Sequence, residues 1–346
     1  MKQIVECVPN FSEGRDPLII KSISDAIENV GGVKLLNVEP DKDYNRVVVT
    51  FAGEPQAAVE AAFLATKTAS EMIDMRKHKG EHPRMGATDV VPFVPISNIT
   101  MEDCVQLANQ YGQRVAKELG IPIYLYAQAA RKSDRKKLPD IRKGEYEAIE
   151  SKLSDPLWTP DYGEMNFTEK VARSGVTATG ARFFLIAFNV NLSTPDVKLA
   201  DEIAFRVRES GRPKRDENGI IMKNENGKSL RIPGSLRETQ AKGIYMEAHG
   251  ITQISMNLLN YLITAIHTTY EECKKEAASV GTKVTGSEIV GLIPKDSIVM
   301  AGKFYADRLK LNLNNDSDLI QCAIEQLGLS QLAPFDPQKK IIDFMI

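Results

Sequence analysis

The segment from His78 to Gly86 carries two of the four histidines in this chain of 346 residues. Histidine is the side chain best suited to give and take a proton near neutral pH, so acid–base chemistry is the first expectation for this segment. Glu81 and Arg84 flank His82 closely enough in sequence to orient or tune charges around it. On spacing alone, an equally good interpretation is that His82 only caps a turn.

The spacing His78-x-x-Glu81-His82 also matches the inverted zinc-hydrolase pattern H-x-x-E-H. A zinc site of that kind needs both histidines on one face of a helix. Gly80 weakens a helix at this point, and Pro83 biases His82 toward an extended backbone. No later Glu or His in a convincing helix completes a set of three ligands. The sequence therefore predicts no metal site.

Strands and helices that could position this segment alternate along the chain. In the first half, strands are predicted at 3–9, 33–38, 47–51, 90–96 and 122–126, and helices at 17–30, 54–74 and 101–119. In the second half, strands are predicted at 183–189, 244–248, 252–256 and 284–292, and helices at 196–210 and 258–280. Each half contains the order β-α-β-β-α-β, which is typical of an antiparallel sheet covered by helices on one face. The sequence thus predicts an α+β fold of two similar, ferredoxin-like subdomains.

Two charged or polar stretches fall outside this repeated order. Residues 131–154 contain a predicted helix at 138–153, and their basic part, 131–143, either attracts an anionic substrate or forms a solvated helix surface. Residues 211–240 have little apolar content and two Asn-Gly turns. They predict an exposed hairpin inserted between a helix and a strand.

Polar residues near the middle of the chain are weaker candidates for ligand contacts. Thr177, Thr179 and Gly180 either offer hydroxyl and N–H groups to a ligand or belong to an ordinary interdomain linker. Asn189 and Asn191 alternate along a predicted strand, so both point to one face, where a ligand between sheets could meet them.

Bulk composition excludes several classes of function. The net charge is −2 and charged residues make up 26% of the chain, which predicts neither a nucleic-acid nor a membrane partner. The four cysteines are far apart and form no CxxC pair, as expected for a protein of the reducing cytoplasm. No apolar run approaches the roughly 20 residues that span a bilayer.

Five motifs, in consistent order from residue 1 to about residue 340, resemble the glutamate formimidoyltransferase (formiminotransferase) family. They are Val8-Pro-Asn-Phe-Ser-Glu-Gly14, Gly80-Glu-His-Pro-Arg-Met-Gly-Ala87, Arg142-x-Gly-Glu-Tyr146, Thr177-Ala-Thr-Gly-Ala181 and Phe184-Leu-Ile-Ala-Phe-Asn189.

The resemblance implies an activity and an architecture. The family transfers the formimino group of N-formimino-L-glutamate to N5 of tetrahydrofolate, giving 5-formiminotetrahydrofolate and glutamate in histidine degradation. Tetrahydrofolate, free or polyglutamylated, is a co-substrate, and no cofactor is permanently bound. The family has two α/β subdomains, here 1–180 and 181–346, with a ligand cleft between their sheets, and it forms homodimers. Animal members are fused to a cyclodeaminase; because this chain ends before such a domain, a separate cyclodeaminase is expected for the next step.

The resemblance also implies site residues. His82 corresponds to the family's catalytic histidine, and Glu39 stands where animal enzymes carry an aspartate. The folate-contacting segment follows the motif Trp158-x-Pro-Asp-Tyr-Gly163, and this chain has a few more residues there than the animal pattern. The implied contacts are Gly163, Glu164, Met165, Asn166, Phe167, Ser174, Gly175, Thr177, Thr179 and Gly180. Asn10, in the first motif, and Arg84, by its charge, complete the expected substrate-binding set.

A single imidazole suffices for the expected reaction, as a base toward N5 and then as an acid toward the departing glutamate nitrogen. Two alternatives remain open at this stage. One is formyl transfer between formylglutamate and tetrahydrofolate, or action on 5-formyltetrahydrofolate. The other is a folate-binding protein without catalysis.

Overall fold

The computed structural model of the chain describes residues 2–346, in which one compact unit ends at Phe183 and a second runs from Phe184 to Met345. This boundary lies just after the position 180/181 that the sequence indicates. The fold is α+β in both units. Among the helices that the structure describes, none combines the length and the apolar character needed to cross a bilayer.

The N-terminal unit contains one sheet of seven strands and six α-helices. The strands are β1 (Ile4–Cys7), β2 (Asn10–Phe11), β3 (Val33–Asp41), β4 (Arg46–Gly53), β5 (Thr88–Ser97), β6 (Ile123–Ala127) and β7 (Thr177–Ala181). The helices are α1 (Pro17–Glu28), α2 (Pro55–Met72), α3 (Met101–Arg114), α4 (Leu138–Ile141), α5 (Ile149–Leu153) and α6 (Glu169–Ser174). A π-helical turn, Val115–Leu119, prolongs α3.

The sheet of the N-terminal unit combines an antiparallel and a parallel part. Strand β4 lies between β3 and the β1–β2 pair, β5 lies on the other side of that pair, and all these neighbours are antiparallel. Beyond β5 the order continues to β7 and then β6, with parallel pairing. Helices α1, α2 and α3 cover one face with an apolar core. A smaller apolar cluster covers β6 and β7 on the other face, packed by the chain between β6 and β7.

The C-terminal unit repeats the order of the antiparallel part. Its strands are β8 (Ile186–Leu192), β9 (Arg212–Pro213), β10 (Arg231–Ile232), β11 (Thr239–Met246), β12 (Ile251–Leu258) and β13 (Val284–Val290). Its helices are α7 (Val197–Val207), α8 (Ile266–Ser279), α9 (Lys295–Leu309), α10 (Asp316–Leu327) and α11 (Pro337–Lys340). Four strands form an antiparallel sheet in the order β11-β12-β8-β13. The short pair β9–β10 is the predicted hairpin at 211–240, which is largely exposed.

Local chemistry explains where several elements differ from the prediction. The predicted strand at 3–9 stops at Cys7 and resumes as β2, because Pro9 has no N–H for the ladder. The predicted helix at 138–153 is broken into α4 and α5, since Gly144 and Glu145 both have positive φ, at 76° and 56°. The predicted helix at 258–280 begins only at Ile266. Helices α9 and α10 were not predicted.

Candidate active site

The segment from His78 to Gly86 is an irregular loop between α2 and β5. The two histidines turn to different partners: His78 Nε2 lies 2.9 Å from the Asn45 carbonyl oxygen, and His82 Nε2 lies 2.9 Å from Arg46 Nη1. The helical arrangement that a zinc-binding H-x-x-E-H pattern needs is therefore absent from this loop. Within residues 2–346, no group of three or more His, Cys, Asp or Glu side chains is placed to hold a metal ion.

Asn45 fixes the loop to the turn between β3 and β4. Its Oδ1 accepts from the Gly14 N–H at 3.0 Å, and its Nδ2 donates to the Lys79 carbonyl oxygen at 3.0 Å. Gly80 packs so closely on this turn that a Cβ there would come within 2.8 Å of Asn45 Cβ and overlap the Tyr44 carbonyl. The position of His82 is therefore set by backbone contacts with a distant part of the chain.

His82 is a partly buried imidazole held neutral by its surroundings. A guanidinium can only donate, so His82 Nε2 accepts from Arg46 and the ring proton is assigned to Nδ1. The pKa of His82 is lowered to about 3, most strongly by burial and then by the charges of Arg46 and Arg142. A backbone hydrogen bond at Pro83 and the charge of Asp41 act in the opposite direction on this pKa.

Arg46, which contacts His82, and Arg142, whose charge acts on His82, both keep unused buried donors. Arg46 Nη1 also lies 3.4 Å from Asn10 Oδ1, while Arg46 Nε is buried and has no hydrogen-bond partner among residues 2–346. Arg142 binds the buried carboxylate of Asp89, and Arg142 Nε is likewise buried without a partner in the described chain. Desolvation and the charge of Arg142 lower the pKa of Arg46.

Arg84, which is predicted to bind a substrate carboxylate, is paired with two glutamates of the chain. Its Nη1 donates to Glu145 at 2.8 Å and to Glu147 at 2.9 Å, and its Nη2 donates to Glu147 at 2.6 Å. Its Nε approaches His78 Nδ1 at 3.3 Å. The side chain is only 8% exposed. With these donors engaged, Arg84 ties the loop to the chain after α4.

Three of the seven basic residues in the stretch 131–143 are bound to the chain that follows it. Arg135 is buried, pairs with Asp161 at 3.1 Å and lies over the Tyr124 ring. Arg131 contacts Tyr162, and Lys132 donates to the Leu157 carbonyl oxygen. Arg142 is the member of this stretch whose charge acts on His82.

Both units match models of a single family. Residues 4–182 match "Formiminotransferase domain, N-terminal subdomain", and residues 187–346 match "Formiminotransferase domain". The chain belongs to the formiminotransferase family. It is 41% identical over 305 residues to the "Glutamate formimidoyltransferase" of Streptococcus pyogenes serotype M1, covering 88% of this chain and 94% of that protein. It is 41% identical over 325 residues to the protein of the same name from Thermoplasma acidophilum, covering 93% and 98%.

A longer formiminotransferase relative also matches. The "Formimidoyltransferase-cyclodeaminase" of Rattus norvegicus is 45% identical over 346 residues, which is 100% of this chain and 60% of the rat protein. The chain therefore spans about three fifths of the length of that relative.

The segment that the formiminotransferase resemblance assigns to folate divides into two parts. Gly163, Glu164 and Asn166 are exposed, and Met165 and Phe167 are partly exposed. Ser174 and Gly175 are instead buried against the end of the His82 loop: the Ala87 N–H donates to the Ser174 carbonyl oxygen at 2.8 Å, and Gly175 bridges to Gly86. The first part is accessible to a ligand, whereas the second supports the loop.

The hydroxyls of Thr177 and Thr179 are turned into the core. Thr177 Oγ1 donates to the Thr88 carbonyl oxygen at 2.6 Å, and Thr179 Oγ1 donates to the Val91 carbonyl oxygen at 2.8 Å. Both residues are at most 1% exposed. Gly180 lies against the Tyr126 backbone, where a Cβ would overlap the carbonyl. Both hydroxyls are thus engaged within the chain, and the folate contact of these residues stays a prediction.

Glu39 and Asn10 share one row across the sheet. Asn10 and Glu39 both pair with Val48, so their side chains lie on the same face as Val48 and Arg46. Glu39 is exposed and accepts from Asn37 Nδ2 at 2.8 Å; no hydrogen bond joins it to His82. The carboxylate whose charge acts on His82 is that of Asp41.

In the C-terminal unit, Asn189 and Asn191 point to the same face, as the strand alternation predicts. Asn189 Nδ2 donates to Gln253 Oε1 at 3.2 Å, and Gln253 Nε2 donates to Asn191 Oδ1 at 2.8 Å. Asn191 Nδ2 donates to Gln331 Oε1 at 2.7 Å. The buried amides of Asn189, Asn191 and Gln253 therefore bind one another.

Sequence reasoning missed Arg46 and Asp89, and it identified Arg142 only as part of a basic stretch and of a family motif. Arg46 is the single charged residue at the start of an otherwise apolar strand, which was the available signal. Its contact with His82 joins residues 36 positions apart and depends on tertiary structure.

We expect His82 to make the fold more sensitive to acid. The unfolded chain protonates this histidine below its ordinary pKa of 6.5, whereas the native state resists protonation down to about 3, so unfolding takes up a proton between these values. Between pH 7.5 and 5.5 the free energy of unfolding should fall by up to about 1 kcal/mol more in the wild type than in His82→Gln, after allowance for solvent screening. Urea denaturation at both pH values measures this; an equal fall in both proteins would contradict it.

Proposed function

We propose that this chain transfers the formimino group of N-formimino-L-glutamate to N5 of tetrahydrofolate, with His82 as the proton shuttle. The observation that carries the proposal is the loop Gly80-Glu-His-Pro-Arg-Met-Gly86, which presents a neutral, partly buried imidazole beside two arginines in a formiminotransferase fold. The names of the streptococcal and archaeal relatives support this donor, since this chain covers nearly all of each.

In the proposed reaction, one imidazole carries out both proton transfers. N5 attacks the formimino carbon, and the new N–C bond gives a tetrahedral adduct. The N5 proton passes to His82 Nε2, and the same proton then reaches the glutamate nitrogen as the old C–N bond breaks. The steps move protons and a one-carbon unit without electron transfer, so no redox cofactor is required. The remaining acceleration comes from holding both substrates together.

Other residues have narrower parts in this proposal. Gly163, Glu164, Met165, Asn166 and Phe167 are proposed as the accessible folate-contacting stretch. Asn10 and Glu39 are proposed as polar groups on the sheet face that also carries Arg46, with Glu39 orienting a substrate.

The architecture is consistent with this family role. In each unit, the order of four antiparallel strands (β3-β4-β1-β5 and β11-β12-β8-β13) supports the proposal of two ferredoxin-like layers. The rat relative's name joins a formimidoyltransferase to a cyclodeaminase, which supports the proposal that a cyclodeaminase consumes the product. A homodimer and a cytoplasmic location stay predictions.

A donor assay tests the function. Purified protein is given tetrahydrofolate with formiminoglutamate or with formylglutamate, and in a separate reaction 5-formyltetrahydrofolate with glutamate. We expect the highest kcat/KM with formiminoglutamate. If the protein prefers a formyl donor, its proposed activity becomes formyl transfer instead of formimino transfer. Tight folate binding without turnover of any donor would indicate a folate-binding protein without catalysis.

A further inference from the structure

Arg46 and Arg142 form a candidate anion site that no protein group among residues 2–346 occupies. Arg46 and Arg142 each bury an Nε–H that has no acceptor among residues 2–346. Buried donors are almost always paired in native proteins, and a buried guanidinium without a full set of acceptors is particularly costly. Two such donors on neighbouring cations indicate a missing acceptor.

The acceptor that fits is a carboxylate. A guanidinium presents its Nε–H and one Nη–H as a planar fork, which matches the two oxygens of a carboxylate. Arg142 already uses one Nη for Asp89, and Arg46 uses Nη1 for His82 and Asn10. In Arg46, the fork of Nε–H and Nη2–H therefore has no acceptor among residues 2–346. In Arg142, Asp89 takes the Nη2 beside Nε, and the Nε–H remains without an acceptor. Glutamate and the folate tail both carry carboxylates of this kind.

The same arginine controls the base. Arg46 Nη1 occupies the lone pair of His82 Nε2 at 2.9 Å, which is the atom that must accept the proton in the proposed mechanism. While this contact persists, the imidazole is a weak base, because donation from a cation stabilises the neutral ring. A carboxylate that binds Arg46 competes for the guanidinium and neutralises its charge.

We propose that Arg46 and Arg142 form a carboxylate-binding pair, and that substrate carboxylate draws Arg46 away from His82 Nε2 and so activates the base. This inference rests on the proposed function for the identity of the substrate. The base is inactive in the free enzyme and becomes active only with the anion in place. Arg46 is thus a positioning residue as well as a binding residue.

Binding and histidine titration together test the proposal. N-formyl-L-glutamate, a stable analogue of the donor, is titrated calorimetrically into wild type, Arg46→Gln and Arg142→Lys, and His82 is followed by NMR of histidine-labelled protein. Each substitution should weaken binding roughly 10- to 100-fold, as expected for a lost charge-assisted hydrogen bond. In the wild type, the ligand should raise the pKa of His82 from about 3. In Arg46→Gln, this pKa should already be raised without ligand.

Arg114→Gln is the matched control, since Arg114 lies on α3 and pairs with Glu60 and Glu118. It should change neither the binding nor the pKa of His82. Circular dichroism checks folding, and Arg46→Lys, which keeps the charge but loses the fork, replaces Arg46→Gln if the latter does not fold. Unchanged ligand binding in the folded Arg46 and Arg142 variants would overturn the site. If the ligand leaves the pKa of His82 unchanged in the wild type, the coupling between carboxylate binding and His82 is overturned.

Two further ligands separate the sources of the carboxylate. 5-Formyltetrahydrofolate and 5-formyltetrahydropteroate differ by the glutamate tail. If the pair binds the donor's carboxylate, the variants lose affinity only for N-formylglutamate. If it binds the folate tail, 5-formyltetrahydrofolate binds the wild type more tightly than 5-formyltetrahydropteroate does, and this difference disappears in the variants. Carboxylate binding and the shift of His82 do not require turnover. Their presence without formimino transfer would reject the proposed function and keep the site.

Discussion

His82→Gln should reduce formimino transfer roughly 10²- to 10⁴-fold, the range that a positioned general acid–base group contributes. Glutamine keeps a polar side chain of similar reach near Arg46 but cannot carry a proton between N5 and the glutamate nitrogen. Binding of both substrates should change less than kcat, because the loss falls on the transition state. Steady-state kinetics with formiminoglutamate and tetrahydrofolate measure the effect.

An exposed histidine provides the matched control for this substitution. His249 lies in the turn between β11 and β12 and is exposed, so His249→Gln should retain wild-type turnover. His78→Gln removes the hydrogen bond to the Asn45 carbonyl and should lower thermal stability. A folded His82→Gln enzyme with near-normal kcat would remove His82 from the mechanism.

Gly175→Ala should destabilise the N-terminal unit by roughly 3–5 kcal/mol, from strained backbone and overpacking together. Gly175 has φ 68° and ψ −150°, a region that is essentially restricted to glycine. A Cβ there would come within 2.5 Å of Gly86 Cα and overlap the Met85 carbonyl oxygen. Because these atoms end the His82 loop, activity should fall along with stability. Urea denaturation and turnover measure the two effects.

Gly120→Ala separates backbone strain from crowding. Gly120 also has positive φ, at 63°, but a Cβ there meets only the flexible end of the Lys170 side chain, at 3.6 Å. The cost of this control should be about 1 kcal/mol, the ordinary penalty of a left-handed alanine. If Gly175→Ala costs no more than Gly120→Ala, then the packing of Gly175 on Gly86 does not hold the loop.

The sequence predicted local features of the site and fold well. Pro83 and Gly80 correctly indicated a loop rather than a helix, because proline and glycine act on the backbone next to them. Alternation along β8 placed Asn189 and Asn191 on one face, as observed. The order of strands and helices followed from periodicity and turn residues.

Partners distant in sequence could not be predicted in the same way. Arg84 was expected to bind a substrate because a charge in a motif looks available, but its acceptors are Glu145 and Glu147, some sixty positions later. Thr177 and Thr179 similarly donate to β5, almost ninety positions earlier. Which donors are free depends on strand register and packing, and a single sequence does not contain these contacts explicitly.

The position of β7 in the sheet affects how the N-terminal unit folds during translation. β6 precedes β7 along the chain, yet β7 lies between β5 and β6. During translation, β6 leaves the ribosome before the strand that joins it to the sheet, so β6 and the neighbouring edge of β5 emerge unpaired. Such edges invite pairing with other chains. The nascent protein is therefore vulnerable until Thr177–Ala181 emerge, when about half of the polypeptide has been synthesised.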